Sequence, residues 1–195
     1  MKKHCTESGN GSDGLIIDFA NTVACDGCRV GDGLADPKNT LRWLRLHESA
    51  LGRWEGPPPI PELIRLRVTV TNLLNAASGD TQARTADLRE LNRLSGLGAT
   101  FPTLSWEGKM RSVLTISQAN DRKTALLAKL ASTAATFLCE VEPDKVRRCQ
   151  GPRCRHYILA RTSKHLWCSP TGCGNRARVA RHYERERQDS TESQT

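Results

Sequence analysis

The chain has 195 residues, a formal net charge of +8, a hydrophobic fraction of 37% and an aromatic fraction of only 5%. That length suits one or two domains with a core of mostly Leu, Ile, Val and Ala. No apolar run approaches the roughly 18 residues a bilayer span needs, and the polar start Met1 to Ser12 has no signal-peptide core, so a soluble, cytoplasmic protein is expected.

Residues 1–12 read as a disordered tail. Gly14 to Val23 is an apolar run with polar insertions, and spacing alone leaves strand and helix both open. A loop with Gly, Asp and Cys follows from Ala24 to Gly33. Asp36-Pro37 is a helix start, with Asp as cap and Pro in the first turn; that helix carries Leu41, Trp43, Leu44 and Leu51 and stops near Gly52. After the Pro57-Pro58-Pro59 break, Ile60 to Ser78 is the longest helical pattern, with Leu63, Leu66, Val70, Leu73 and Leu74 on one stripe, ended by Gly79. Thr85 to Leu94 predicts a helix with Leu88 and Leu91 facing in. Residues 99–106 and 110–117 alternate as a β-hairpin. Asn120-Asp121 caps a helix over Arg122 to Cys139, with Leu126, Leu127, Leu130 and Phe137 inward and Cys139 as a small core residue. The organisation expected is a mainly helical domain with one small hairpin over 13–142, a hinge near Pro143, a cysteine module over 145–188, and a polar tail at 189–195.

Charge is unevenly divided. Residues 144–188 hold twelve Lys/Arg against three Asp/Glu, whereas the rest of the chain holds seventeen against eighteen. Excess positive charge confined to one small segment points to a polyanion partner.

The same segment contains Cys149-x4-Cys154 and, thirteen residues later, Cys168-x4-Cys173. Two short-spaced cysteine pairs suit a tetrahedral zinc site, each turn supplying two thiolates. The intervening residues predict a hairpin: a strand at Tyr157-Ile158-Leu159, a turn near Thr162-Ser163-Lys164, then Leu166-Trp167. After Cys173 the pattern is helical, with the last ligand in the first turn. A knuckle, a hairpin and a helix make a treble-clef-like zinc finger. On that helix Arg178, Arg181, His182 and Arg185 share one face, while Val179 and Tyr183 are placed to pack on the hairpin. Lys145, Arg147 and Arg148 precede the first ligand, and Asn175 and Arg176 follow the last. Arginine binds phosphate bidentately and reads guanine edges, so these nine residues are the candidate nucleic-acid contacts.

Residues 147–187 resemble a CGNR zinc finger, a bacterial module, through Arg147-Arg148-Cys149, Cys154, Trp167-Cys168-Ser169 and Cys173-Gly174-Asn175-Arg176. The N-terminal part resembles the ABATE domain usually fused to it, through Leu15 to Val23, Leu41 to Leu44 with Trp43, and Leu104-Ser105-Trp106. The chain departs from the finger's usual pattern, an acidic residue and a basic pair before the Trp-Cys, at Leu159-Ala160-Arg161 and His165-Leu166. The resemblance implies a zinc-dependent, stress-linked transcription regulator that binds double-stranded DNA, is dimeric, and associates with the nucleoid when bound. RNA binding or protein interaction by the zinc module is the alternative. Few aromatics are available to stack bases, which disfavours single-stranded RNA.

Other features carry weaker signals. Cys25-x2-Cys28, with His4 and Cys5 upstream, has the spacing of a metal or redox pair, but its acidic loop and the tail position of Cys5 favour incidental exposed thiols. Asp18 and Asn21-Thr22 mark either a small-ligand pocket or, the favoured reading, capping and turn hydrogen bonds. Trp43 and Trp106 are expected in the core. His156 and His165 flank ligands, but four cysteines already complete a shell. The sequence has no phosphate loop, no nucleophile–base set and no paired carboxylates in a recognisable motif, so an enzyme is not expected.

Overall fold

A computed structural model describes residues 12–23, 31–98, 100–106, 110–116, 121–142 and 144–192. The loop with Cys25 and Cys28, the tail with Cys5, and the hairpin turn at 107–109 lie outside the described residues. The chain falls into two compact units: one joins the described residues up to Gly33 with those from Glu142 onward, and the other is Leu34–Val141. The first helix, expected within the helical domain over 13–142, groups with the C-terminal segment.

In the central unit, α2 (Pro37–Leu46) begins at Asp36, whose carboxylate accepts from the Lys38 N–H at 2.7 Å. The expected single helix is broken at His47, and a one-turn α3 (Glu48–Leu51) completes it before Gly52 at φ +83°. Trp43 is half-buried and its ring lies 4.7 Å from that of His47. α4 (Ile60–Ala77) buries all five stripe residues. Gly79 follows it at φ +82°, a left-handed conformation that ends a helix without a Cβ clash.

α5 (Thr85–Gly96) packs on α4 and on α6 (Arg122–Glu140). It buries Leu91 and Leu94, but Leu88 is 43% exposed because the inward face also takes Asp87, which accepts from the Asn72 amide at 3.2 and 3.3 Å. α6 is capped by Asp121, which accepts from the Thr124 N–H at 2.8 Å. This bonding, led by the Thr124 N–H, holds the Asp121 carboxyl below the usual range. Leu126, Leu127, Leu130 and Phe137 are buried as expected, and Ala131 and Ala134 fill the gaps between them. Cys139 is exposed, not core, since it lies two residues beyond Phe137 and so off the buried stripe. β1 (Thr100–Trp106) and β2 (Met110–Ile116) form the expected antiparallel hairpin, pairing Thr103 with Val113; the Trp106 side chain lies outside the described residues.

The other unit opens with α1 (Ser12–Ala20), which resolves the strand-or-helix alternative as helix and buries Leu15, Ile16, Ile17, Phe19 and Ala20. It lies against β4 (Tyr157–Leu159), which pairs antiparallel with β3 (Val146–Arg148). This corrects the expected hairpin. Tyr157–Leu159 pairs backward across the first cysteine pair, because Val146 is buried and aligns with Leu159, while Leu166 contributes a single bond from the Gln150 N–H at 2.9 Å. Asn21, read as a capping or ligand residue, has a buried structural role. Its amide donates to the Tyr157 carbonyl at 2.9 Å and accepts from the Tyr157 N–H at 2.7 Å. One side chain thus satisfies both backbone groups of a buried residue, as a neighbouring strand would. Asn21→Ala leaves both unpaired, and a loss of about 2–4 kcal/mol is expected. It is read from the denaturation midpoint of the metal-loaded protein, with Asp18→Ala as the comparison that leaves this pair intact.

The last helix, α7, is Asn175–Glu192, so it runs into the expected tail. No helix among the described residues is long and apolar enough to cross a membrane.

Candidate metal centre and basic helix

The four sulfurs of Cys149, Cys154, Cys168 and Cys173 all lie within 4.8 Å of one another. Cys154 and Cys168 sulfurs are 3.7 Å apart, and those of Cys168 and Cys173 are 3.4 Å apart. A tetrahedron with metal–sulfur bonds of about 2.3 Å has sulfur–sulfur edges of about 3.8 Å, so the cluster has the size of a four-thiolate site.

Local structure builds each corner. Cys149 follows β3 directly, and its N–H donates to the His156 carbonyl at 2.9 Å, one step beyond the strand pairing. The chain then turns through Gly151 and Arg153, which takes φ +55° to bring Cys154 back, and the Cys154 N–H closes on the Gly151 carbonyl at 3.0 Å. Gly151 has no room for a side chain: a Cβ there would sit 2.6 Å from Cys173 Cβ and 2.9 Å from its sulfur. Cys173 lies in a wide turn, Pro170–Gly174, capped by the Ser169 hydroxyl, which accepts from the Gly172 N–H at 3.0 Å. It therefore precedes α7 and is not in the helix's first turn. Ile158 and half-buried Trp167 pack against the cluster.

The donor set fits a cation. Cys149 is held near the bottom of the accessible range, at about 2, first by hydrogen bonds from the Cys154 and Cys168 thiols, then by the N–H groups of Cys168 at 3.2 Å and Gly151 at 3.4 Å. The Cys149 thiolate in turn pushes Cys154 up to about 12 and Cys168 higher still. Four thiolates this close repel one another unless a cation sits among them. His156 is turned away: its Nε2 lies 3.3 Å from the Val23 carbonyl, and burial pushes its imidazole down toward the neutral form.

The basic residues divide into two groups. Lys145 pairs with Glu142. Arg147 donates to the Asp144 carbonyl at 2.6 Å and the Ser163 carbonyl at 3.4 Å. Arg148 lies 4.5 Å over the Tyr157 ring and donates to the Arg155 carbonyl at 2.8 Å. Arg176 is partly buried and donates to the Cys173 sulfur at 2.9 Å. Asn175, Arg178, Arg181, His182 and Arg185 are on α7, and all five are exposed. His182 also lies 3.5 Å from Glu186, and Arg178 donates to the Pro170 carbonyl at 3.2 Å. Val179 and Tyr183 are 46% and 63% exposed, not packed on the hairpin, because β4 is covered by α1 instead. On sequence, Asn21 reads only as a source of capping or turn hydrogen bonds and Gly151 has no role; the Cys-x-Gly spacing inside the first pair is the available signal for Gly151.

A short hairpin, four converging thiols and a following helix define a zinc-finger protein with a helical N-terminal region. Residues 145–186 match the CGNR zinc finger family, and residues 13–141 match ABATE, described as "Putative stress-induced transcription regulator". The chain belongs to the ABATE family and carries a C-terminal CGNR zinc finger. Neither is an enzyme family. A comparison with curated proteins finds no match.

Proposed function

We propose that the protein is a transcription regulator that binds double-stranded DNA through α7, with Zn2+ in the four-cysteine site as a structural ion. One observation carries this reading: Arg178, Arg181 and Arg185 share one face of a helix that begins two residues after a metal ligand, and that face is open to solvent. Metal binding thus fixes the start, and so the direction, of an arginine-bearing helix. A helix of this kind fits the major groove, where arginine meets guanine edges and phosphates. Zinc is favoured by the all-thiolate donor set, tetrahedral size and closed shell, which leave no position for a substrate. The zinc would supply cohesion, and the chemistry of recognition would belong to the side chains.

The test is fluorescence anisotropy of the full, zinc-loaded chain with labelled duplex DNA, single-stranded RNA and an acidic protein, titrated over salt. Duplex DNA is expected to bind most tightly, with log affinity falling linearly in log salt. Preference for RNA or for the acidic protein, or no DNA affinity at low salt, would overturn the reading.

A further inference from the structure

We propose that Arg176 serves the metal centre and not the nucleic acid: its guanidinium is the charge-balancing partner of the Cys173 thiolate. Three observations support this. The guanidinium Nη2 donates to the Cys173 sulfur at 2.9 Å. Arg176 is partly buried, whereas the face with Arg178, Arg181 and Arg185 is open to solvent. Helix geometry separates them as well. At about 100° per residue, Arg176 stands about 200° from Arg178, and Arg181 and Arg185 lie within about 60° of Arg178. One face of α7 therefore looks outward with its arginines, and Arg176 looks back at the site.

The chemistry explains why an arginine is needed there. A divalent cation held by four thiolates carries a net charge of minus two, and Cys173 and Cys149 are the two buried ligands. Apart from the other thiols, Cys149 receives hydrogen bonds from backbone, from the N–H groups of Gly151 and Cys168. Cys173 receives its charged hydrogen bond from a side chain three residues along. Arg176 reduces the net charge of the buried centre and fixes the Cys173 sulfur at the junction between the Pro170–Gly174 turn and α7. It is a positioning residue, acting on the metal through Cys173.

The experiment compares full-length wild type with Arg176→Ala, Arg176→Lys and Arg187→Ala, the last at an exposed arginine about three turns further along α7. Metal affinity is measured by chelator competition, and the Co2+-loaded forms are followed by their thiolate-to-metal charge-transfer band. Arg176→Ala is expected to lower metal affinity about 10–100-fold, the usual effect of losing a group that supports a ligand. Its band is expected to move to longer wavelength, because a sulfur stripped of a charged hydrogen bond is the easier electron donor. Arg176→Lys should restore most of the affinity, and Arg187→Ala should leave both readings at wild type. Arg176→Ala with affinity within about twofold of wild type and an unmoved band would overturn the proposal, as would Arg187→Ala matching it. None of these readings involves DNA, so they stand apart from the outcome of the binding titration. Because the band is read on the metal-loaded state, a variant that is merely less stable is separated from one that no longer bonds the sulfur.

Discussion

Cys173→Ser is expected to strip the metal and unfold the C-terminal segment from Val146 through α7, while the central unit keeps its helices. Structural zinc in comparable small modules contributes about 10–16 kcal/mol, which is folding free energy because the site does not exist in the unfolded chain. The core around the cluster is small: Cys149, Ile158 and Cys173 are buried, with Cys154, Trp167 and Cys168 packed against them. Four of these six residues are the ligands themselves, so removing the cation takes away the centre of the core as well as its cross-link. Gly151→Ala should act similarly, since its Cβ would drive into Cys173. Hydrogen exchange on the full chain checks this. Protection is expected to vanish in β3, β4 and α7 on chelation and to fall in α1, whose neighbouring Asn21 is tied to Tyr157. Protection in α4 and α6 should persist. A metal-free chain with α7 fully protected, or one that loses α4 and α6 together with α7, would contradict the expectation.

The second large effect concerns the arginine face. Replacing Arg178, Arg181 and Arg185 together by Ala is expected to reduce duplex DNA affinity about 10²–10³-fold near 0.1 M salt. The log–log salt slope should flatten by about 2.7, at about 0.9 for each of three phosphates no longer neutralised. The face is open to solvent, so the fold and metal content should not change. Lys145→Ala should have a smaller effect, because that ammonium already pairs with Glu142, which raises its pKa first through the hydrogen bond. An unchanged salt slope in the triple variant would remove α7 from the interface.

Local features were legible in the sequence. Asp36-Pro37 announces a helix start because capping involves only adjacent residues. The Leu63, Leu66, Val70, Leu73 and Leu74 stripe is a periodic signal repeated along the helix. The metal site was legible because ligand spacing is itself local, two cysteines to a turn. Pairings across long separations were not. Nothing in the chemistry of Asn21 or Tyr157 says that they meet, 136 residues apart. Without that knowledge, Val179 and Tyr183 were the apolar residues nearest at hand to cover β4, although α1 does so. The β3 partner was missed for a related reason: Arg147 and Arg148 read as charge, and the single buried Val146 is too short a signal for a strand. Arg176 looked like one more member of a basic helix, and only its position around the axis distinguishes it.

The Asn21–Tyr157 pair also sets an order of events during synthesis. At about 5–20 residues per second, roughly 7–27 s pass between the ribosome making Asn21 and making the strand that satisfies it. The central unit, encoded between them, is complete before its C-terminal neighbour in the chain exists. The apolar side chains of α1 meanwhile wait without the β4 backbone that they finally lie against. The nascent chain must therefore keep Leu15, Ile16 and Phe19 from associating elsewhere until β4 has been made.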